Sequence, residues 1–250
     1  MIMPAGSAGR PRFLASVTNV AEAETAMAAG ADIIDCKDPS AGALGALPHG
    51  TVRAIVDTVA GRVPVSATVG DLQPMPDVLC HAVVGMAATG AGYVKIGFFE
   101  GGDAAASIAA LGRLALANTR LIGLLLADRH PDLRLIPAMA AAGFAGVMLD
   151  TASKKGRALP DVMPVAEMAA FIAAARSAGM LAGLAGALRR EHIPAIAAQD
   201  PDVIGFRGAL CSGNNREGAL EEGPARAIAN ALAAVARAPA PRHASLEALP

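Results

Sequence analysis

Short apolar runs recur along this chain, each followed by an alanine-rich stretch of helical periodicity. Eight of them read as strands: Phe13 to Val17, Asp32 to Cys36, Val63 to Val69, Tyr93 to Phe98, Arg120 to Ala127, Gly146 to Asp150, Leu181 to Ala187 and Val203 to Gly208. The intervening pattern predicts helices over Ala21 to Ala29, Thr51 to Ala60, Asp77 to Ala88, Ala104 to Ala117, Leu133 to Ala142, Val165 to Ala178, Ile193 to Gln199 and Pro224 to Ala236. Strands alternating with helices indicate βαβ units and a parallel sheet. Eight such units in 250 residues favour closure into a barrel over an open doubly wound sheet. At the helix-to-strand joints, Gly30, Gly90, Gly143 and Gly179 stand where a helix needs a left-handed stop. The expected fold is a single (β/α)8 TIM barrel over residues 13–237, preceded by an N-terminal arm, 1–12, and followed by a proline-bearing tail, 238–250. Arm and tail lack apolar periodicity and are expected to be disordered.

Composition narrows the chemistry. Hydrophobic residues make up 54% of the chain but aromatics only 3%, without Trp, so the core must be built from Ala, Val, Ile, Leu and Met. A formal charge of -1 provides no basic field for nucleic acid, which is therefore not an expected partner. The longest charge-free stretch, Val78 to Val94, is broken by His81 and three glycines and is shorter than a membrane span. No membrane association is expected, and the segment MIMPAGSAGRPR lacks the apolar run of a secretory signal. Cys36, Cys80 and Cys211 are odd in number and lack ligand spacing, which argues for a reduced, cytoplasmic setting rather than a disulfide framework or a zinc site. His49, His81, His130, His192 and His243 share no metal-ligand spacing, and Gly101-Gly102 is too short for a dinucleotide fingerprint, so neither metal nor cofactor is expected. Whether copies associate as a homo-oligomer is left open by the sequence.

The cations carry a sharper signal. The chain has 17 arginines but only four lysines, and each lysine falls at or just beyond the C-terminal end of an expected strand. A lysine amine can lose its proton and attack a carbonyl, whereas a guanidinium cannot. Active sites of such barrels lie in the loops at those strand ends. Asp35 and Lys37 share one face of their strand and Cys36 points to the other; if Ile34 and Cys36 pack under the helices, Asp35 and Lys37 enter the barrel mouth. Read alone, that pair is equally a salt bridge at a strand end. Lys95, between Val94 and Ile96, should also face the lumen, and lysine is seldom buried without a partner. The sixth strand ends at Asp150, and its loop carries Lys154 and Lys155. Together these groups suit amine chemistry of the class I aldolase type, in which neighbouring cations depress a lysine and carboxylates relay protons. The loops after the last two strands, around Gly186, Ala187, Arg207 and Gly208, are candidates for gripping a phosphate through backbone N–H groups and a guanidinium fork, or are ordinary glycine turns. Ser66 and Thr68 could line the lumen, and Asp71 and Asp128 follow strands as helix caps or as supports of the site.

The run ADIIDCKDPSAGALGA, Ala31 to Ala46, resembles the (5-formylfuran-3-yl)methyl phosphate synthases, also called 4-(hydroxymethyl)-2-furancarboxaldehyde-phosphate synthases, of methanofuran biosynthesis. The resemblance extends through YVKIGFF from Tyr93, MLDTASKKG from Met148 and FRGALC from Phe206. It implies a (β/α)8 barrel that condenses two molecules of glyceraldehyde 3-phosphate into a furan, losing phosphate and water. On it Lys37 matches the Schiff-base lysine, Lys95 the proton acceptor, and Asp35, Asp150 and Lys154 further active-site residues, with adjacent Lys155 competing for the last assignment. Two other readings use the same residues. One is a class I aldolase or phosphosugar isomerase; the other is a non-catalytic barrel that binds a phosphometabolite.

Overall fold

A computed structural model describes residues 10–152 and 157–235. Eight parallel strands close a barrel in sequence order, with β1 hydrogen-bonded to both β2 and β8. The strands are β1 Arg12–Val17, β2 Ile33–Cys36, β3 Val65–Thr68, β4 Tyr93–Gly97, β5 Arg120–Leu126, β6 Gly146–Asp150, β7 Leu181–Leu184 and β8 Val203–Phe206. All but β1 lie within their expected runs. The N-terminal boundary differs: β1 begins at Arg12, and Arg10 forms a two-pronged ion pair with Asp32, so residues 10–12 pack on the barrel rather than in an arm. Residues 1–9 and the tail lie outside the described residues.

The helices are α1 Val20–Ala28, α2 His49–Val59, α3 Pro76–Ala87, α4 Ala104–Leu111, α5 Leu135–Ala141, α6 Leu159–Val162, α7 Val165–Ser177, α8 Ile193–Ala197 and α9 Glu222–Ala233. Helix α4 stops six residues before the expected end, at a Gly112 cap where an added Cβ would meet Ala142 at 2.8 Å. The one-turn helix α6 had no counterpart in the sequence reading. The four joint glycines do adopt positive φ, from +71° at Gly179 to +99° at Gly30, and the chain leaves each helix there for the next strand.

Side chains alternate across the wall. Ile34, Cys36, Val94, Ile96, Val147 and Leu149 point outward into one large cluster with the helices. Leu14, Ile33, Tyr93, Ile122, Leu124, Met148 and Val203 fill the lumen, joined by Leu44, which dips in from the loop after β2. Gly183 makes room for this layer: a Cβ there would stand 2.6 Å from Met148 Cγ. The lumen is thus plugged below its mouth by apolar side chains, and polar inward positions are left at the C-terminal strand ends. No helix among the described residues is long and apolar enough to cross a membrane.

Candidate active site

The same alternation that turns Ile34 and Cys36 outward brings Asp35 and Lys37 inward, and on β4 it turns Lys95 inward between Val94 and Ile96. Asp35, Lys37, Lys95 and Asp150 thereby line one cavity of about 130 Å³ at the barrel mouth. All four are buried, Asp35 completely. Lys95 Nζ donates to Asp35 Oδ2 at 2.7 Å, and Lys37 Nζ donates to Asp150 Oδ2 at 3.0 Å. Each buried cation therefore has its own buried carboxylate, the condition under which such charges are tolerated in a core.

Parallel register explains the support around Asp35. Ser16 of β1, Asp35 of β2 and Ser66 of β3 are consecutive partners across the sheet. Both hydroxyls donate to the carboxylate, Ser16 Oγ at 2.9 Å and Ser66 Oγ at 2.6 Å. With Lys95 that makes three donors on one buried carboxylate. Burial pulls Lys95 below the ordinary lysine range; Asp35 opposes that shift, and the nearby Lys37 charge adds to it. The opposing causes leave a lysine that loses its proton more readily than one in water. Cys36 is inert by contrast, its thiol pushed up by burial and by Asp35.

Other expectations meet mixed outcomes. Thr68 faces the loop after β2 and donates to the carbonyls of Gly45 and Cys36. Among the described helices neither Asp71 nor Asp128 is the capping residue; Asp71 accepts from the amides of Ala43 and Leu44, and Asp128 accepts from the amide of Ala152. Each pins a neighbouring loop of the mouth. Lys154 and Lys155 lie outside the described residues.

The loops after β7 and β8 form the opposite wall of the cavity, with Gly186, Ala187, Leu188, Arg207, Gly208 and Ala209 on its surface. Ala187 holds a left-handed φ of +46°, a strained setting for a residue with a Cβ. Beside it, Gly186 has φ +117°, and a Cβ there would lie 2.7 Å from Thr151. Among the described residues, the amides of Gly186, Ala187, Gly208 and Ala209 find no protein acceptor.

Arg207 corrects the sequence expectation. It lines the cavity, yet all five of its N–H groups are taken by the protein. Nε donates to Arg216 O, Nη1 to Ser16 O and Glu22 Oε2, and Nη2 to Glu22 Oε1 and Gly218 O. Arg207 and Glu22 are both nearly buried, with 10% and 7% of their side chains exposed. Burial works against the Glu22 charge, but Arg207 and the amides of Thr18 and Leu220 win and hold its carboxyl below the usual range. This pair ties β1, α1 and the loop after β8 together; it offers no fork to a ligand. Ser16 and Glu22 were missed in the sequence. Ser16 had a usable signal, a hydroxyl among apolar residues one inward step beyond Leu14, whereas Glu22 looks like any acid in a first helical turn.

Three comparisons with known proteins bear on this site. A family model described as 4-HFC-P synthase matches residues 13–229. A protein of Methylorubrum extorquens, to which the activity (5-formylfuran-3-yl)methyl phosphate synthase is provisionally assigned, is 44% identical over 234 residues, covering 94% of this chain and 97% of its own. The (5-formylfuran-3-yl)methyl phosphate synthase of Methanopyrus kandleri is 36% identical over 236 residues, covering 90% of this chain and all of its own. Among solved structures, phosphoribosyl anthranilate isomerase of Thermus thermophilus superposes with a TM-score of 0.63 at 17% identity, covering 89% of this chain and 98% of its own. That last likeness concerns the barrel alone.

Proposed function

The chain belongs to the 4-HFC-P synthase family, and from that premise we propose that it condenses two molecules of glyceraldehyde 3-phosphate into (5-formylfuran-3-yl)methyl phosphate through an imine on Lys37. The observation that carries the reading is the pair of buried lysine–carboxylate contacts in one cavity, Lys37 with Asp150 and Lys95 with Asp35. A site that only bound a metabolite would have no use for two amines withdrawn from water.

Lys37 attacks the triose carbonyl once its proton has gone, and the carbonyl oxygen leaves as water. Asp150, 3.0 Å from Nζ, is placed to take and return protons in that step. The iminium acidifies the neighbouring C–H, and Lys95 accepts its proton. The resulting enamine attacks the aldehyde of a second triose phosphate and forms the new C–C bond. Elimination of phosphate, ring closure, loss of water and hydrolysis of the Lys37 imine then release the furan and the free amine, with no net oxidation or reduction. Asp35, held by Ser16 and Ser66, stabilises the ammonium that Lys95 becomes. Lys154 shares these proton transfers on the strength of its motif alone. The unengaged amides of Gly186, Ala187 and Gly208 bind the substrate's phosphate, which fits the strained Ala187 backbone.

Borohydride reduction of the protein in the presence of glyceraldehyde 3-phosphate tests the imine. A reduced triose adduct is expected on the peptide carrying Lys37. An adduct confined to other peptides, or none, overturns the Schiff-base reading.

A further inference from the structure

We infer that Arg216 is the guanidinium that binds the substrate's phosphate, completing the amide cradle after β7 and β8; this deepens the proposed reading of the site and rests on it. Two arginines of the β8 loop reach the cavity, and their hydrogen bonding separates their roles. Arg207 has no donor left. Arg216 makes a single side-chain hydrogen bond, Nη2 to Gly42 O at 3.0 Å, and no carboxylate lies within ion-pair distance of it among the described residues. Its remaining N–H groups have no protein acceptor there.

A half-buried guanidinium with no carboxylate in contact leaves its donors unanswered. Burial pulls Arg216 below the ordinary arginine range, with Asp150 and Glu217 pulling the other way and Arg207 adding to the shift. A phosphate dianion between Arg216 and the amides of Gly186 and Gly208 would supply the missing charge, and the planar fork suits its oxygens. The backbone is prepared for this. Arg207 Nε holds Arg216 O at 2.8 Å, so the spent arginine fixes the position of the unspent one. Gly208 allows the loop to close down: a Cβ there would lie 3.0 Å from Asn214 O and 3.8 Å from Arg216 Cβ.

Calorimetric titration of the full chain with inorganic phosphate at fixed ionic strength provides the test, because it needs no turnover. Arg216→Ala is expected to weaken phosphate binding about ten- to hundred-fold, the usual contribution of a charge-assisted contact. Arg216→Gln should lose a comparable amount and serves where the alanine variant fails to fold. Equal phosphate affinity in wild type and both variants overturns the inference, as does a loss produced by Arg189→Ala, another arginine of the cavity wall, in its place. A wild type that binds phosphate through Arg216 yet gives no trapped imine and no furan would overturn the catalytic proposal while leaving this one standing.

Discussion

Lys37 and Lys95 sit in one cavity, but their surroundings ask different things of them. Replacing either by arginine keeps the cation and removes the amine that can react near neutral pH. Each substitution is expected to lower kcat by about 10²- to 10⁴-fold, measured as furan formation with circular dichroism confirming the fold. Near-normal turnover in Lys37→Arg would end its role as nucleophile. The pH profile separates the second lysine from the first. Lys95 acts as a base only when neutral, and burial places its titration below the free-lysine value, so kcat should rise along an alkaline limb displaced to lower pH than that of a free lysine. Asp35 holds the proton on Lys95, so in Asp35→Asn the limb should move to lower pH in whatever activity remains. A limb that stays in place would mean that another group titrates. The inward aspect of these residues was legible in the sequence, because alternation along a strand needs only one outward neighbour to be known. The pairing was not: Lys37 reaches Asp150 across 113 positions and Lys95 reaches Asp35 across 60, and no local pattern records which cation takes which carboxylate.

Loops and helices carry the next level of organisation. The strands were legible because each is a short apolar run, four of them preceded by a glycine-marked joint, and their ends moved by only a few residues. Helix lengths were less so. Apolar residues continue past Leu111 as far as Ala117, yet α4 ends at the Gly112 cap, where Ala142 leaves no room for a Cβ. The role of Arg207 was hidden for the same reason, since its partners come from β1, α1 and its own loop. Breaking a buried ion pair strands the surviving charge, so Glu22→Gln should destabilise the fold by about 3 kcal/mol in urea titration at neutral pH. The sign of its acid dependence follows. Glu22 has a folded pKa below its unfolded one, so its contribution is present above about pH 4.3 and is lost as pH falls through the folded value. The stability gap between wild type and Glu22→Gln should therefore narrow on acidification; a gap constant down to the acid transition would mean that the pair acts through packing alone.

For the molecule as a whole, the proposed chemistry makes a stoichiometric demand. One furan and one inorganic phosphate should appear for every two trioses consumed, followed by the ultraviolet absorbance of the conjugated aldehyde and a phosphate assay. Triose loss without phosphate release would point to aldol or isomerase chemistry on the same lysines. Barrel closure has a further consequence, for the order in which the chain comes into being. Strand β1 needs β8 as its second neighbour, and Glu22 on α1 needs Arg207 and the amide of Leu220. The ribosome delivers the first of these long before the last, so for most of translation the earliest strand has an open edge and the earliest helix an unanswered carboxylate. Chains stalled with Ala198 as the last residue outside the exit tunnel should be cut readily by protease near β1, and those extended beyond α9 should not. The final fifth of the protein is thus what locks its beginning, and a newborn chain would need shielding until that segment emerges.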